Sequence, residues 1–263
     1  MYQARSSLQV TLNVWHALFM REASARITGD RLGWSWLLLE PLAHVAILVA
    51  LRQLMGRIRF IPGAEFVPWL IVGIMGFLLF RDAMNRSMNA ITANRALFAY
   101  RQVLPIDTVI VRALLEGILK SVVFALILTF LIVIFEKPLV PTDAIAAAGI
   151  WFGIWALGLG FGLILSVLVT IVQELSKFVT MATLPLYFLS GVVIPVQLKP
   201  AAVQEYLVYN PLLHGLEALR AAFFGTYRVL PDISLLYLFA WALATIVFGL
   251  MLHIRFKSRL LAQ

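Results

Sequence analysis

Apolar residues come in long blocks, separated by short clusters of Arg, Lys, Gly and Pro. Six blocks are long enough to cross a hydrocarbon core as helices: Trp34–Leu54, Phe66–Ala90, Thr108–Phe135, Ala144–Val172, Phe178–Val196 and Ser234–Ile254. At about 1.5 Å of rise per residue, roughly 20 residues suffice. The pattern predicts an all-α polytopic membrane protein with about six transmembrane helices. The second block is the exception: its uncharged run stops at Phe80, so it spans only if Arg81 and Asp82 lie inside protein or near the cytoplasmic interface.

Three pieces outside the spans have patterns of their own. Residues Ser6–Arg21 place Leu8, Leu12, Trp15 and Phe19 on one helical face, which predicts an amphipathic helix lying in the membrane interface. Asn94–Pro105 is a short helix-like run, NRALFAYRQV, closed by Leu104-Pro105. Gln197–Asp232 is interrupted by Pro200, Pro211 and Pro231 and does not span; Leu212–Gly225 within it reads as a re-entrant helix. The chain is one membrane domain: residues 1–33 an interface helix and linker, 34–196 spans one to five, 197–232 the re-entrant segment, and 233–263 span six with a tail.

Composition fixes the solvent: 62% of the 263 residues are hydrophobic and 13% charged, with a mean hydropathy of +0.94, so lipid surrounds most of the chain. The net charge of +8 does not point to nucleic acid, because the basic residues flank apolar blocks instead of forming a patch. Most of them fall on one side (Arg5, Arg21, Arg26, Arg31, then Arg81 to Arg112, then Arg255 to Arg259), and the positive-inside rule makes that side, with both termini, cytoplasmic. No secretory leader is expected at the N-terminus, where residues 1–21 lack a continuous apolar core. Without cysteine there is neither a disulfide nor a thiolate metal site. No phosphate-binding P-loop, nucleophile elbow or zinc-protease motif occurs, and His16, His44, His214 and His253 are scattered, so no catalytic residues, cofactor or metal are expected in this chain.

Polar side chains inside apolar blocks are costly unless they face protein or water. Trp36, Glu40 and His44 follow one another at single-turn spacing in span one; the plain alternative for Glu40 is a pair with Arg26 or Arg31. Thr180, Thr183, Tyr187 and Ser190 form a second stripe in span five, beside Pro185; helix packing is the competing reading. Arg112, Glu116 and Lys120 repeat every four residues as an ion ladder. Gly149-x-x-x-Gly153 and Gly158-x-x-x-Gly162 point to close helix packing, and Trp34, Trp69, Trp151 and Tyr237 to an aromatic belt. His214, Glu217 and Arg220 share a face of the re-entrant helix.

Two stretches resemble the ABC-2 family of export permeases, and within it the capsular polysaccharide branch, and a third resembles the general ABC-2 signature. The first holds Arg26, Arg31-Leu32-Gly33, Trp36, Leu39-Glu40-Pro41 and His44; the second is NRALFAYRQVLPIDT, Asn94 to Thr108. The third holds Thr183, Leu186, Leu189-Ser190, Val192, Pro200, Pro211-Leu212, His214 and Arg220, with Lys199 departing from the family pattern.

The resemblance implies a multi-pass half-transporter of the bacterial inner membrane that moves lipid-linked, acidic capsular polysaccharide. Two copies would form the pore and two ABC ATPase subunits would drive it, binding ATP and magnesium themselves. A periplasmic co-polymerase or adaptor and an outer-membrane polysaccharide export protein complete the expected partners. Asn94, Arg95, Leu97, Phe98, Tyr100 and Arg101 would form the ATPase-coupling loop, the apolar members inserting into a groove and the arginines fixing orientation. Trp36, Glu40, His44, Thr180, Thr183, Tyr187 and Ser190 would line the canal, and His214, Glu217 and Arg220 a periplasmic gate. Arg52, Arg57 and Arg59 would draw an acidic polymer outward. The alternatives are an ABC-2 permease for O-antigen, teichoic acid or a small amphiphile, and a non-transporting scaffold for a polysaccharide synthase.

Overall fold

The computed structural model describes residues 6–28, 33–54, 61, 63–135 and 139–261, and every regular element among them is helical. In order they are α1 (Ser7–Thr28), α2 (Gly33–Leu54), α3 (Phe66–Met88), α4 (Ala90–Ala93), a 3-10 turn (Arg95–Ala99), α5 (Pro105–Phe135), α6 (Ala144–Ile171) and α7 (Leu175–Leu189). A second 3-10 turn (Val196–Leu198), α8 (Ala201–Leu207), α9 (Pro211–Phe223), α10 (Leu235–Arg255) and α11 (Lys257–Leu261) complete the series. Five helices are long and apolar enough to cross a membrane: α2, α3, α5, α6 and α10.

The fifth expected span is shorter than its hydropathy indicates. Helix α7 has 15 residues, about 22 Å by helical rise, against the roughly 30 Å of a hydrocarbon core. It stops because Gly191 takes a φ of +70°, a left-handed conformation that ends the helical ladder. The chain after it turns through Pro195 and folds back as α8 and α9. The apolar run Val192-Val193-Ile194 extends the hydropathy signal but belongs to this return loop.

Helix α3 lies at the centre, 83% of its apolar window buried against its neighbours, with α6 packed along it. A central helix meets protein on all sides, which is why the least apolar candidate span is also the most enclosed. The close approach comes from α6: a Cβ added at Gly158 would lie 2.7 Å from the Phe80 carbonyl of α3, and one at Gly160 would lie 2.1 Å from Thr245 of α10. Gly162 rests against Ser87, so the Gly158/Gly162 pair does serve packing, whereas Gly149 faces nothing within 4 Å.

Local capping sets the starts of the helices that carry the site. Helix α5 begins at Pro105, three residues earlier than hydropathy indicates, because Asp107 Oδ2 accepts the Leu104 backbone N–H at 2.9 Å. Asp107 Oδ1 also accepts from Trp15 Nε1 at 2.8 Å, fastening α1 to the start of α5. Helix α1 runs to Thr28, beyond the expected Arg21; Leu8 and Leu12 stay exposed and Leu18 packs inward. Helix α9 opens on Asn210, whose Oδ1 accepts from Leu212 N, followed by Pro211 in the first turn.

Candidate functional site

Nine charged side chains from four helices meet in the half of the bundle that carries α1. Lys120, with no exposed side-chain surface, lies 2.7 Å from Asp82 and 3.8 Å from Glu40. Arg81 bridges Asp82 and Glu40. Arg112 Nη2 donates to Glu22 Oε1 at 3.0 Å, and Glu116 faces Arg26 and Arg86 at 3.6 and 3.4 Å. Residues 112, 116 and 120 are therefore not a ladder pairing along one helix; each rung reaches a partner on a different helix. Glu40 likewise pairs with Arg81 and Lys120 instead of Arg26, and Arg31 lies outside the described residues. Mutual pairing is what makes these charges tolerable at depth.

Beside this network, α2, α3 and α7 line an open cavity of about 460 Å³. Glu40 and His44 of α2, Phe77, Arg81, Asp82, Asn85 and Arg86 of α3, and Thr180, Thr183 and Tyr187 of α7 line it. The Tyr187 ring stands edge-on to Phe77 at 4.9 Å and beside His44 at 5.9 Å. Its hydroxyl is buried without a hydrogen-bond partner among the described residues. The Thr180 and Thr183 hydroxyls donate to the carbonyls of Ser176 and Val179, which leaves their oxygens as acceptors toward the cavity. Rings, hydroxyls and paired charges on one wall suit a ligand that offers both C–H faces and exchangeable hydroxyls.

Two residues of the expected stripes are elsewhere. Trp36 is 65% exposed and Ser190 is fully buried, its Oγ accepting from Asn210 Nδ2 at 2.9 Å. Trp36 lies two four-residue steps from His44, a drift of about 80° around a helix of 3.6 residues per turn, and Ser190 lies past the last residue of α7, where the backbone turns at Gly191. The α3 contribution was missed, because Arg81 and Asp82 read as obstacles to spanning; a charged pair inside an apolar block was the available signal.

The expected coupling loop forms a 3-10 turn at the same end of the bundle. Asn94 is buried and donates to Glu22 Oε1 and the Ala90 carbonyl, anchoring the turn to α1 and α4. Leu97 and Phe98 are half-buried, Phe98 packing on the protein's own cluster around Ala90, Val109 and Leu163. Arg95 and Arg101 are exposed, and Tyr100 projects with 66% of its surface free.

At the opposite end α9 is buried among α3, α6 and α10. Arg220 stacks on Trp69 at 3.5 Å, donates to Glu217 Oε1 at 2.8 Å, and reaches the carbonyls of Gly191 and Val192. Trp69 is thus a fully buried platform and not a belt residue. Glu217 also accepts from Gln197 Nε2 and the Tyr227 hydroxyl, both at 2.9 Å. Burial and the Glu217 charge push the Tyr227 phenol up to about 12, so it stays a donor. Burial lowers Lys199, opposed by Glu217. His214 donates from Nε2 to the Val208 carbonyl at 2.6 Å and accepts from Ser234 N at Nδ1, which fixes its tautomer. The three expected gate residues all point into protein within the single chain. Arg52 sits 3.5 Å over the Phe66 ring, while Arg57 and Arg59 lie outside the described residues.

A central, charge-bearing helix enclosed by apolar spans, a short helix with a re-entrant return, and an exposed aromatic turn define a transport-type membrane domain. The chain belongs to the ABC-2 type transporter family, whose profile matches residues 13–224. It is 36% identical to the polysialic acid transport protein KpsM of Escherichia coli over 250 residues, 95% of this chain and 96% of that protein. It is 27% identical to the capsule polysaccharide export inner-membrane protein CtrC of Neisseria meningitidis serogroup B, covering 96% of this chain and 94% of that one. The capsule polysaccharide export inner-membrane protein BexB of Haemophilus influenzae is also 27% identical, at 97% and 95% coverage.

Proposed function

We propose that this chain is the inner-membrane permease subunit of an ABC exporter for capsular polysaccharide. The observation that carries the reading is the end-to-end similarity to a polysialic acid transport protein, with 96% of that protein covered. Two copies pair to form the conduit, with both termini and the 95–101 turn on the cytoplasmic side. Helices α2 and α7 supply the facing surface, since only 6% of the α2 window is buried within the chain and Phe178, Met181 and Leu184 of α7 project outward. A polymer longer than the bilayer needs such a continuous path between protomers, not an enclosed pocket. ATP and magnesium are bound by two separate ATPase subunits, and a periplasmic adaptor and an outer-membrane export protein receive the polymer.

In this scheme Tyr187, His44, Thr180 and Thr183 meet sugar rings and hydroxyls, while Glu217, Arg220 and His214 hold the periplasmic return helix rigid at the exit. Tyr187→Phe removes a hydroxyl that has no hydrogen-bond partner among the described residues, so thermal stability is expected to stay within about 0.5 kcal/mol of wild type. Export should fall several-fold. Wild-type export by this variant, scored by surface polymer at equal expression, removes Tyr187 from the path.

The turn 95–101 is the surface that the ATPase grips, and Tyr100 is its anchor because Phe98 is committed to the protein's own core. Tyr100→Ala should weaken ATPase binding by about 2 kcal/mol, close to thirtyfold, as loss of an aromatic interface anchor does. The test is co-purification and stimulated ATP hydrolysis with an ABC ATPase subunit co-expressed with this chain. Unchanged complex and turnover would remove the docking assignment.

A further inference from the structure

The charge network is incomplete at one point. Five cations, Arg26, Arg81, Arg86, Arg112 and Lys120, face four carboxylates, Glu22, Glu40, Asp82 and Glu116. Arg81, Lys120 and Arg112 each hold a carboxylate at 3.0 Å or less. Among the described residues, Arg26 and Arg86 share Glu116 alone, at 3.6 and 3.4 Å from the same oxygen. Both separations exceed the 2.7–2.9 Å of a charge-assisted hydrogen bond. Glu116 is 96% enclosed, yet among the described residues its second oxygen has no hydrogen-bond partner, nor does Arg26 Nε.

This under-neutralised pair opens on free space. Arg26, Arg86 and Glu116, with Glu22 and Arg112, line a cavity of about 180 Å³. That space is well above the least needed for a single water and is large enough for one phosphate- or carboxylate-sized group. Arg86, half-exposed, also borders the larger cavity beside Tyr187, so it stands where the two meet. Arg81 and Lys120 cannot serve the same role, because each is already closed on Asp82.

We propose that Arg86 and Arg26 form a binding site for a single anionic group, a phosphate or a carboxylate, and that Glu116 occupies the two arginines when that group is absent. The group enters between α1 and α3 and displaces Arg86 from Glu116, which leaves Arg86 turned toward the larger cavity. The site stands on geometry alone; only the identity of the molecule that bears the anion, the exported chain or its lipid end, rests on the export reading.

The test uses the purified full-length protein in nanodiscs of phosphatidylcholine, with equilibrium binding of four probes: dihexanoyl phosphatidic acid, dihexanoyl phosphatidylcholine, trigalacturonate and inorganic phosphate. At least one anionic probe is expected to bind, and the zwitterionic lipid to bind at least about tenfold more weakly. Binding by inorganic phosphate or trigalacturonate assigns the site to a free anion, and binding by phosphatidic acid alone to a lipid headgroup; either supports the proposal. Arg86→Gln should weaken binding about tenfold and Arg86→Lys much less. Glu116→Gln should tighten it, since the competing carboxylate is gone. Opposite signs for Arg86→Gln and Glu116→Gln are what a merely structural cluster would not produce. Equal binding by Arg86→Gln, equal losses in the two variants, or no binding of any anionic probe would overturn the site. None of these readouts requires transport, so failure of the export reading would leave a positive result here intact.

Discussion

Arg220→Met is expected to destabilise the protein by about 3–5 kcal/mol, because it leaves the Glu217 carboxylate buried and uncompensated. Both side chains have no exposed surface, so solvent screening does not discount the effect. Gln197 and Tyr227 would still donate to Glu217, which keeps the loss finite. Glu217→Gln should cost a comparable amount by stranding the guanidinium on Trp69. The double variant should recover part of both losses, giving a coupling of at least about 1 kcal/mol in a double-mutant cycle. The measurement is thermal unfolding of the purified protein in detergent. Additive losses would mean that the pair does not act as a unit.

Asp82→Ala is the second large effect expected. It removes the carboxylate that holds both Lys120 and Arg81, and Lys120, wholly buried, is left with Glu40 at 3.8 Å. The cost of a buried charge deprived of its partner is again about 3–5 kcal/mol. Lys120→Met placed on Asp82→Ala should restore part of the stability, because an apolar side chain of similar length fills the same site without needing a counter-ion. Asp82→Ala alone should also lower the yield of membrane-inserted protein, read by quantitative blotting of membranes. A variant as stable as wild type would show that water reaches Lys120 freely and that the network is not enclosed.

The parts of the molecule visible in the sequence are those set by local pattern. Span length against bilayer thickness gives α2, α3, α5, α6 and α10, and the polar run 94–105 between apolar blocks gives the exposed turn. The start of α5 is misread: hydropathy puts it at Thr108, while the Asp107 cap on Leu104 N–H carries the helix back to Pro105. What the pattern conceals is which neighbour a side chain meets. Arg112, Glu116 and Lys120 read as a ladder on one helix, yet their partners lie on α1, α2 and α3, positions that no spacing within α5 encodes. Arg81 and Asp82 read as a defect in a span because hydropathy assumes lipid outside, whereas α3 is surrounded by protein. Trp69 read as a belt residue for that reason too. The shortness of α7 was hidden because Val192, Val193 and Ile194 continue the apolar signal past the Gly191 turn. Glu40, His44, Thr180, Thr183 and Tyr187 were legible as two stripes; that they share one cavity with α3 follows only from the fold.

If this chain carries finished polysaccharide out of the cytoplasm, its loss separates synthesis of the polymer from export. A strain in which the chain is deleted should still synthesise polymer but retain it inside the cell. Fractionation with a polymer-specific antibody, without and with permeabilisation, reads the two pools. Surface polymer should be lost almost completely and accumulate inside the cell, an effect reversed by the wild-type chain and not by Tyr100→Ala. Polymer on the surface at wild-type levels, or no polymer in either compartment, would contradict it.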